Sequence, residues 1–240
     1  MRLGAITTSW DDGAPQDLAL ADLLKKYGIA GTYYIPRTNR ERPVLSAPQI
    51  RDLASEFEIG GHTIHHLRLD QVSEQVADAE IHESKKWLAD VIGREIRSFC
   101  YPAGKYTRAS VEMVRKAGFT FARTVQLLKT DCGRQLRSPT TLQAFPHGRF
   151  TYMKNALKRG DIRAGSYVLS VRRSSLSLAA LTTHFLDEVE ASGGVFHLWG
   201  HSWEIEENGL WRQCEDLLKL LSERKKLNFC QNWALAKDQY

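Results

Sequence analysis

The sequence is short of cysteine, and this shortage excludes one common kind of site. Only four of its 240 residues are cysteines, at positions 100, 132, 214 and 230, and no two of them form a CxxC pair. A structural zinc ribbon needs closely spaced cysteine pairs. We therefore expect four reduced thiols with structural roles.

Long apolar runs and a strong excess of charge are also missing. No apolar stretch approaches the roughly 20 residues that cross a bilayer. No secretory signal precedes the first strand-like residues, so we expect a cytoplasmic protein. The net charge is only +5, and the basic runs Arg172-Arg173 and Arg224-Lys225-Lys226 lack interleaved aromatic residues. Nucleic-acid binding is therefore not expected, and the charge favours acidic substrates only weakly.

What is present is typical of one globular α/β domain. Apolar residues make up 42% of the chain and charged residues 25%, as in ordinary globular proteins. Strand-like and helix-like segments alternate about seven times, without a repeat or a linker between them. This alternation predicts a single domain over residues 1–240, with a parallel sheet that most simply closes into a barrel. Between residues 127 and 163 the pattern breaks up, and we expect loops and one short helix there.

The first motif that carries chemistry stands at the end of the first predicted strand. An apolar run from Leu3 to Trp10 is followed at once by Asp11, Asp12 and Gly13. Ligands of α/β folds collect at the carboxyl ends of strands, where two adjacent carboxylates need a proton, a cation or a donor. A metal ion on one carboxylate would leave the other free to act as a base. An ordinary Asp-Asp-Gly turn is the alternative interpretation.

A second cluster favours the metal interpretation. His62, His65 and His66 follow a short predicted strand within five residues. On a helical turn, residues four apart face the same way, so His62 and His66 suit one divalent ion. Asp12 would complete a set of two histidines and one carboxylate with open positions, as in catalytic metal sites. His65 would point elsewhere, as a surface or supporting residue.

Together the two motifs resemble those of a known family. The T-S-W-D-D-G stretch around Asp11 and Asp12 resembles the T-F-D-D-G motif of the polysaccharide deacetylases, also called the NodB-homology or carbohydrate esterase 4 family. The H-T-I-H-H stretch fits that family's H-[S/T]-x-x-H motif. The resemblance implies a distorted (β/α)7 barrel and metal-dependent removal of acetyl groups. It also implies that Asp12, His62 and His66 hold the metal and that Asp11 is the general base.

The third family motif is present with two departures. Residues 98–104 (S-F-C-Y-P-A-G) resemble the stretch around R-x-P-Y-G, with Cys100 in place of the arginine and Ala103 in place of the tyrosine. In the family the tyrosine donates its backbone N–H to the oxyanion, which Ala103 can do equally well. The arginine orients the catalytic aspartate. We predict that Arg123 on the next strand replaces it and contacts Asp11; the alternative is that Arg123 reaches solvent or a surface acid.

The last motif offers two candidates for the general acid. In the family it is a hydrophobic strand that ends in a histidine, which protonates the leaving amine. His197 and His201 share one face of the strand that begins at Val195. His201 is nearer the carboxyl end, and its H-S-W-E sequence resembles the H-P-W-E of some members, so we favour His201. We expect His197 to be a hydrogen-bonded core residue. Trp199 and Trp203 are candidate walls of an acetyl pocket or plain core.

These residues predict a cytoplasmic, metal-dependent carbohydrate N-deacetylase with a divalent ion, zinc first, as cofactor. The expected location favours an acetylated sugar in a nucleotide- or lipid-linked intermediate of glycan assembly over a wall polymer. One alternative is an amidohydrolase of the same fold that acts on a small nitrogen-rich metabolite, as allantoinase-like members do. Another is a protein that binds glycans without turnover. His147, in the irregular region, is a further candidate for substrate contact.

Overall fold

The computed structural model describes residues 4–157 and 177–237, which form a parallel sheet surrounded by helices. The strands are β1 (Gly4–Asp11), β2 (Gly31–Ile35), β3 (Glu58–Gly61), β4 (Ser98–Cys100), β5 (Phe121–Arg123), β6 (Leu142–Gln143), β7 (Gly194–Gly200) and β8 (Asn228–Phe229). Their order across the sheet is β5-β4-β3-β2-β1-β7-β6, and β8 pairs with the amino half of β1. All pairings between these strands are parallel.

Helices connect most of the strands, as a parallel sheet requires. They are α1 (Asp17–Lys26), α2 (Ala47–Ala54), α3 (Glu74–Ile92), α4 (Arg108–Lys116), α5 (Arg149–Leu157), α6 (Leu178–Ser192), α7 (Ser202–Glu207) and α8 (Trp211–Ser222). Short 3₁₀ segments cover Pro102–Gly104 and Asn232–Lys237. In the described part of the chain, no helix combines the length and the apolar character needed to span a membrane. The four cysteines are free thiols.

Capping residues fix the ends of several helices. Ser46 precedes α2 and forms a capping box with Gln49, whose side chain accepts the Ser46 backbone N–H at 2.9 Å. The Ser73 hydroxyl accepts the Val76 N–H at the start of α3, and this helix ends at Gly93 in the left-handed conformation. The sequence predicts these two helices over residues 47–56 and 72–92, and each bound in the structure lies within about two residues of its prediction.

The sheet closes into a distorted barrel through the segment that leads into β6. Ser138 accepts a hydrogen bond from the Thr124 N–H and donates one to the Ala122 carbonyl of β5, both at 2.9 Å. A few residues later, the Thr141 N–H donates to the His197 carbonyl of β7, also at 2.9 Å. Backbone hydrogen bonds therefore join the two edges of the sheet, and the predicted distorted (β/α)7 barrel is confirmed.

The sequence analysis was wrong about three short elements. The region from residue 127 to 163 holds strand β6 as well as helix α5. The sequence did not predict β6, because a two-residue strand is too short to show an alternating pattern. Residues 158–163 of that region lie outside the described residues. Helix α7 was not predicted, since six residues show little periodicity. The sequence also predicts a last strand over residues 227–232, but only the two residues of β8 form one.

At the amino end of the barrel, Glu58 is buried and fully supplied with donors. It is the first residue of β3 and is 7% exposed. Its carboxylate accepts hydrogen bonds from the Thr32 hydroxyl at 2.7 Å, from the Ser98 hydroxyl and from the Trp233 N–H at 3.2 Å. These donors come from β2, β4 and the last 3₁₀ segment, so one carboxylate ties three elements together.

Asn232 joins strands β1 and β2 at the same end of the barrel through hydrogen bonds. Its side-chain amide donates to the Thr7 hydroxyl of β1 at 2.8 Å and accepts from the Tyr34 hydroxyl of β2 at 2.8 Å. Its backbone N–H donates to Thr32 at 3.0 Å. Because Asn232 is completely buried, satisfying its polar groups in this way is necessary for stability.

Candidate active site

The aspartate pair lies where β1 turns into the next loop. Asp11 is the last residue of β1, and Asp11 and Asp12 are 2% and 5% exposed. Asp12 has a φ of 78°, an uncommon conformation for a residue with a side chain. Gly13 continues the turn with a φ of 62°, and a Cβ atom there would lie 2.7 Å from Ile35 Cγ2. This tight turn therefore requires glycine, and such backbone strain is typical of functional sites.

The histidine loop brings His62 and His66 together by a geometry that the sequence analysis got wrong. The residues after β3 form a non-helical bend, with positive φ angles at Thr63 (60°) and His66 (55°). The two imidazole centroids are nevertheless 5.0 Å apart. His65 turns outward with its side chain 53% exposed, and its Nδ1 lies 2.6 Å from Glu80 Oε1. Glu80 also accepts the His65 backbone N–H at 2.9 Å, so helix α3 fixes the bend.

The side chains of His62 and His66 converge on Asp12. Its Oδ1 lies 3.4 Å from His62 Nε2 and 3.0 Å from His66 Nε2. His62 Nδ1 lies 2.8 Å from the Cys100 carbonyl oxygen. Since a carbonyl only accepts, Nδ1 carries the proton and Nε2 of the neutral ring is an acceptor. Asp12 Oδ1 has no hydrogen-bond donor among the described residues. The donor set therefore fits a divalent cation, and two imidazoles with one carboxylate are ligands that zinc accepts.

The surroundings of Asp12 favour its ionised form. Burial alone would raise the pKa of Asp12, but the contacts with His62 and His66 and the charge of His201 lower it well below its ordinary value. Its Oδ2 accepts a hydrogen bond from Trp203 Nε1 at 2.8 Å. Asp12 is thus an ionised carboxylate with one oxygen occupied by an indole and the other facing the imidazoles.

Asp11 is contacted by Arg123, as predicted. Arg123 is the last residue of β5 and is completely buried, and its Nη2 donates to Asp11 Oδ1. The guanidinium carbon lies 5.1 Å from the ring centroid of Tyr34 and 4.9 Å from that of Trp199. The alternative, a guanidinium in solvent, is excluded by this burial. An arginine partner of this kind fixes the orientation of a carboxylate.

Cys100 also contacts Asp11. Its Sγ lies 3.6 Å from Asp11 Oδ2, and burial raises the pKa of the thiol well above its ordinary value. Asp11, His62 and Cys100 form a second group of atoms close enough to share an ion. However, a neutral thiol is a poor ligand, and His62 Nδ1 is already bonded to the Cys100 carbonyl. Asp12 is therefore the better carboxylate for the candidate metal centre.

Ala103 occupies an exposed turn directly after β4. It has a φ of 54° within the 3₁₀ segment that Pro102 begins. The turn starts two residues after Cys100, whose carbonyl contacts His62. Ala103 thus lies at the carboxyl end of β4, the same end of the barrel as the aspartates, and donation of its N–H to an oxyanion stays a prediction.

His201 lies at the start of α7 and is held by Glu204. Its Nδ1 is 3.3 Å from Glu204 Oε2, which also accepts from Gln143 Nε2 at 2.8 Å. Burial by itself lowers the pKa of His201, but Glu204 and the charges of Asp11 and Asp12 raise it above its ordinary value. With Nδ1 held by a carboxylate, the transferable proton of the imidazolium is the one on Nε2.

His147 belongs to the same hydrogen-bond network. Its Nε2 lies 2.8 Å from Gln143 Oε1, so Gln143 links His147 to Glu204. Burial lowers the pKa of His147 below its ordinary value. Its predicted contact with substrate stays a prediction.

His197 is a core residue, as predicted. It is 2% exposed, and its Nε2 lies 2.8 Å from the Ser9 hydroxyl. Burial and the nearby charge of Arg123 lower the pKa of His197 well below its ordinary value. A histidine that stays neutral does not suit the role of acid, which favours His201.

The sequence analysis missed how helix α7 serves the site. Ser202 donates to Asp17 Oδ1 at 2.6 Å, Trp203 donates to Asp12, and Glu204 holds His201. From the sequence alone, the H-S-W-E stretch shows a family resemblance and does not predict these contacts. A tryptophan and a carboxylate directly after a candidate acid are a signal that could have suggested these contacts.

Comparison with known proteins decides the family. A sequence model of the family described as polysaccharide deacetylase matches residues 3–122, which is half of the chain. The chain belongs to the polysaccharide deacetylase family. The matched region contains Asp11, Asp12, His62 and His66 and stops one residue before Arg123. Arg123 and the candidate acid therefore lie outside the part that the family model covers.

Individual polysaccharide deacetylases match over different lengths. YxkH of Bacillus subtilis (strain 168), whose name places it in this family, is 27% identical over 124 residues, which are 50% of this chain and 44% of YxkH. The match thus spans less than half of that relative.

Solved structures of the family cover almost the whole chain. A Mycobacterium smegmatis protein named for this family has a TM-score of 0.69 and 12% identity, over 99% of this chain and 90% of that one. The family 4 carbohydrate esterase from Streptomyces lividans, in complex with acetate, has a TM-score of 0.58 and 12% identity, over 95% and 93%. At such identities these structures show the shared (β/α)7 barrel fold and nothing more.

Proposed function

We propose that this polysaccharide deacetylase is a metal-dependent carbohydrate N-deacetylase, which hydrolyses the amide of an N-acetylated sugar. The observation that carries the proposal is the convergence of Asp12 Oδ1 with His62 and His66, beside a second carboxylate. That second carboxylate, Asp11, is held by Arg123 and is not needed as a ligand. Family membership supports deacetylation, and the donor set supports a metal.

Each side chain has a separate role in this proposal. A divalent ion, zinc first, would be held by Asp12, His62 and His66 and would supply a Lewis acid that polarises the acetyl carbonyl and lowers the pKa of a water molecule. Asp11 takes a proton from the water as it attacks the carbonyl carbon. Arg123 keeps the Asp11 carboxylate in one orientation. General-base help of this kind is typically worth about 10²–10⁴-fold in rate.

The acid acts on the leaving group. As the bond between carbon and nitrogen breaks, His201 donates its Nε2 proton to the nitrogen, which leaves as an amine, and the acetyl group leaves as acetate. Glu204 stabilises the imidazolium before that transfer. The Ala103 N–H is proposed to stabilise negative charge on the carbonyl oxygen, as backbone donors do in oxyanion holes.

The substrate we propose is an acetylated sugar in a nucleotide- or lipid-linked intermediate of glycan assembly. The substrate panel described next tests this choice.

The test is release of acetate from a panel of N-acetylated sugar nucleotides and oligosaccharides. We expect turnover that a chelator abolishes and added zinc restores, with Asp12→Asn as the inactive control. Allantoin and related ureides belong in the same panel, since turnover of these alone would favour the amidohydrolase. Glycan binding without any turnover in the presence of zinc would favour the binding protein.

A further inference from the structure

The indole of Trp203 contacts Asp12 and His201, which have separate roles in the proposed mechanism, and also Arg42, which has none. Its Nε1 donates to Asp12 Oδ2 at 2.8 Å. Its ring lies 5.0 Å from that of His201, with a tilt of 34°. The guanidinium carbon of Arg42 lies 3.2 Å from its ring centroid. Trp203 neither ligates nor transfers a proton, so these contacts need another explanation.

We propose that Trp203 is a positioning residue for Asp12, which holds Oδ2 so that Oδ1 alone faces His62 and His66. This proposal rests on the metal-dependent function proposed above. An ionised carboxylate can approach a cation through one oxygen or through both. An indole N–H can only donate, and its bond to Oδ2 selects the arrangement with one oxygen. Partners of metal ligands commonly act in this way.

The indole is itself fixed from two sides. Arg42, in the loop between β2 and α2, stacks on the ring and pairs with Glu207 at the end of α7, with Nη1 and Oε1 2.5 Å apart. Ser202 anchors the start of α7 to Asp17. Because the ring is held by a cation and the helix by a buried carboxylate, the protein's own contacts fix the direction of the N–H toward Asp12. Such preorganisation is what a precise ligand needs.

A purely space-filling tryptophan would behave differently. Phenylalanine keeps an aromatic ring for Arg42 and His201 but removes the Nε1 donor. If Trp203 only fills space, Trp203→Phe should change stability and leave ion binding alone. If the N–H positions Asp12, ion binding should weaken even where the fold is intact.

The experiment compares ion affinity in wild type and Trp203→Phe. Zn²⁺ and Co²⁺ are titrated into metal-free protein against a competing chelator, and melting temperatures are recorded without metal. We expect affinity about 10–100-fold weaker in Trp203→Phe, the usual cost of losing such a partner. We also expect a changed Co²⁺ absorption spectrum, since Oδ2 becomes free. The matched control is Trp233→Phe, which loses a 3.0 Å hydrogen bond to Gln231 Oε1 at the amino end of the barrel and should not alter affinity.

The outcomes separate this proposal from the proposed function. Unchanged affinity and an unchanged Co²⁺ spectrum in Trp203→Phe would overturn the positioning role and leave the deacetylase proposal intact. A wild-type protein that binds neither ion would overturn both. If Trp203→Phe does not fold, Arg42→Met carries the test, because it removes the cation and keeps the stem. We expect about two- to fivefold weaker binding there, and an unchanged affinity would contradict the proposal.

Discussion

Two buried carboxylates, at opposite ends of the barrel, have opposite surroundings. Glu58 at the amino end accepts hydrogen bonds from Thr32, Ser98 and Trp233. Asp12 at the carboxyl end presents one oxygen to two imidazole nitrogens and has no donor for that oxygen among the described residues. Burial raises the pKa of Glu58, whereas the imidazoles and the charge of His201 lower that of Asp12 despite its burial.

The difference separates a structural charge from a functional one. A buried carboxylate that is surrounded by donors is complete, because the protein itself satisfies its lone pairs. A buried carboxylate oxygen that lies beside two imidazole nitrogens and receives no hydrogen bond is incomplete, and a divalent cation can satisfy all three groups together. Burial of a carboxylate alone therefore does not identify a functional site. The chemical nature of the groups around the carboxylate does.

The largest effect is expected from the incomplete carboxylate and its partners. Asp12→Asn or His62→Ala should lose bound zinc and acetate release together, since each removes a ligand of the proposed centre. Zinc content measured by atomic absorption, alongside acetate release, checks this. A variant that keeps one equivalent of zinc but loses turnover would show that the altered residue is not a ligand.

Asp11→Asn should also lose turnover, but it should retain the metal. The change removes a base and leaves the three proposed ligands in place, so kcat should fall about 10²–10⁴-fold. The same zinc and acetate measurements apply. Metal-free Asp11→Asn protein would show that the proposed division between the two aspartates is wrong.

Arg123→Ala should resemble Asp11→Asn in activity but be less stable. It leaves a buried carboxylate without its partner, which typically costs about 3–5 kcal/mol. Because both residues act as one unit, the double variant should be little less active than Asp11→Asn alone. Acetate release and urea unfolding are measured for wild type, the two single variants and the double variant, which together form a double-mutant cycle. Rate losses that simply multiply would argue against a shared role.

The two histidines of the last motif should separate activity from stability. His201→Ala should lower kcat with metal content unchanged, whereas His197→Ala should mainly lower the melting temperature. The acid must be protonated, so activity should fall as pH rises through the pKa of His201, which is raised above its ordinary value. A pH profile and melting curves of both variants test this, and the reverse pattern would assign the acid to His197.

The smallest effect on activity is expected from the complete carboxylate. Glu58→Gln should leave zinc content and kcat unchanged and lower the free energy of unfolding by about 1–3 kcal/mol. The pKa of Glu58 is raised in the fold, so its tighter proton binding stabilises the protein at low pH, and this contribution is lost as pH rises through that pKa. Urea unfolding at several pH values should show that the difference in free energy of unfolding between wild type and Glu58→Gln shrinks from acid to neutral pH. A difference in free energy of unfolding that widens with rising pH would contradict a raised pKa for Glu58.

The sequence could predict the residues that follow general rules of the fold. Runs of apolar and β-prone residues predict the central strands, and these strands are buried along almost their whole length. The carboxyl ends of parallel strands meet at one end of a barrel, and this rule places Arg123 near Asp11. The predicted contact is present.

Other features depended on contacts that no local pattern records. The helical-turn argument for His62 and His66 was wrong because the backbone bends through positive φ angles instead. The bond from Trp203 to Asp12 spans 191 positions of the sequence. Strand β6 and helix α7 are too short for periodicity to reveal.

Asn232 has a consequence for the order of folding. Its hydrogen bonds to Thr7 and Tyr34 span 225 and 198 positions. Contacts of such separation form late, because most of the intervening chain must first be closed into a loop. During synthesis, β1 and β2 leave the ribosome long before residue 232 does. Thr7 and Tyr34 therefore lack this partner for most of translation, and the amino end of the barrel can gain these two hydrogen bonds only after Asn232 has been synthesised.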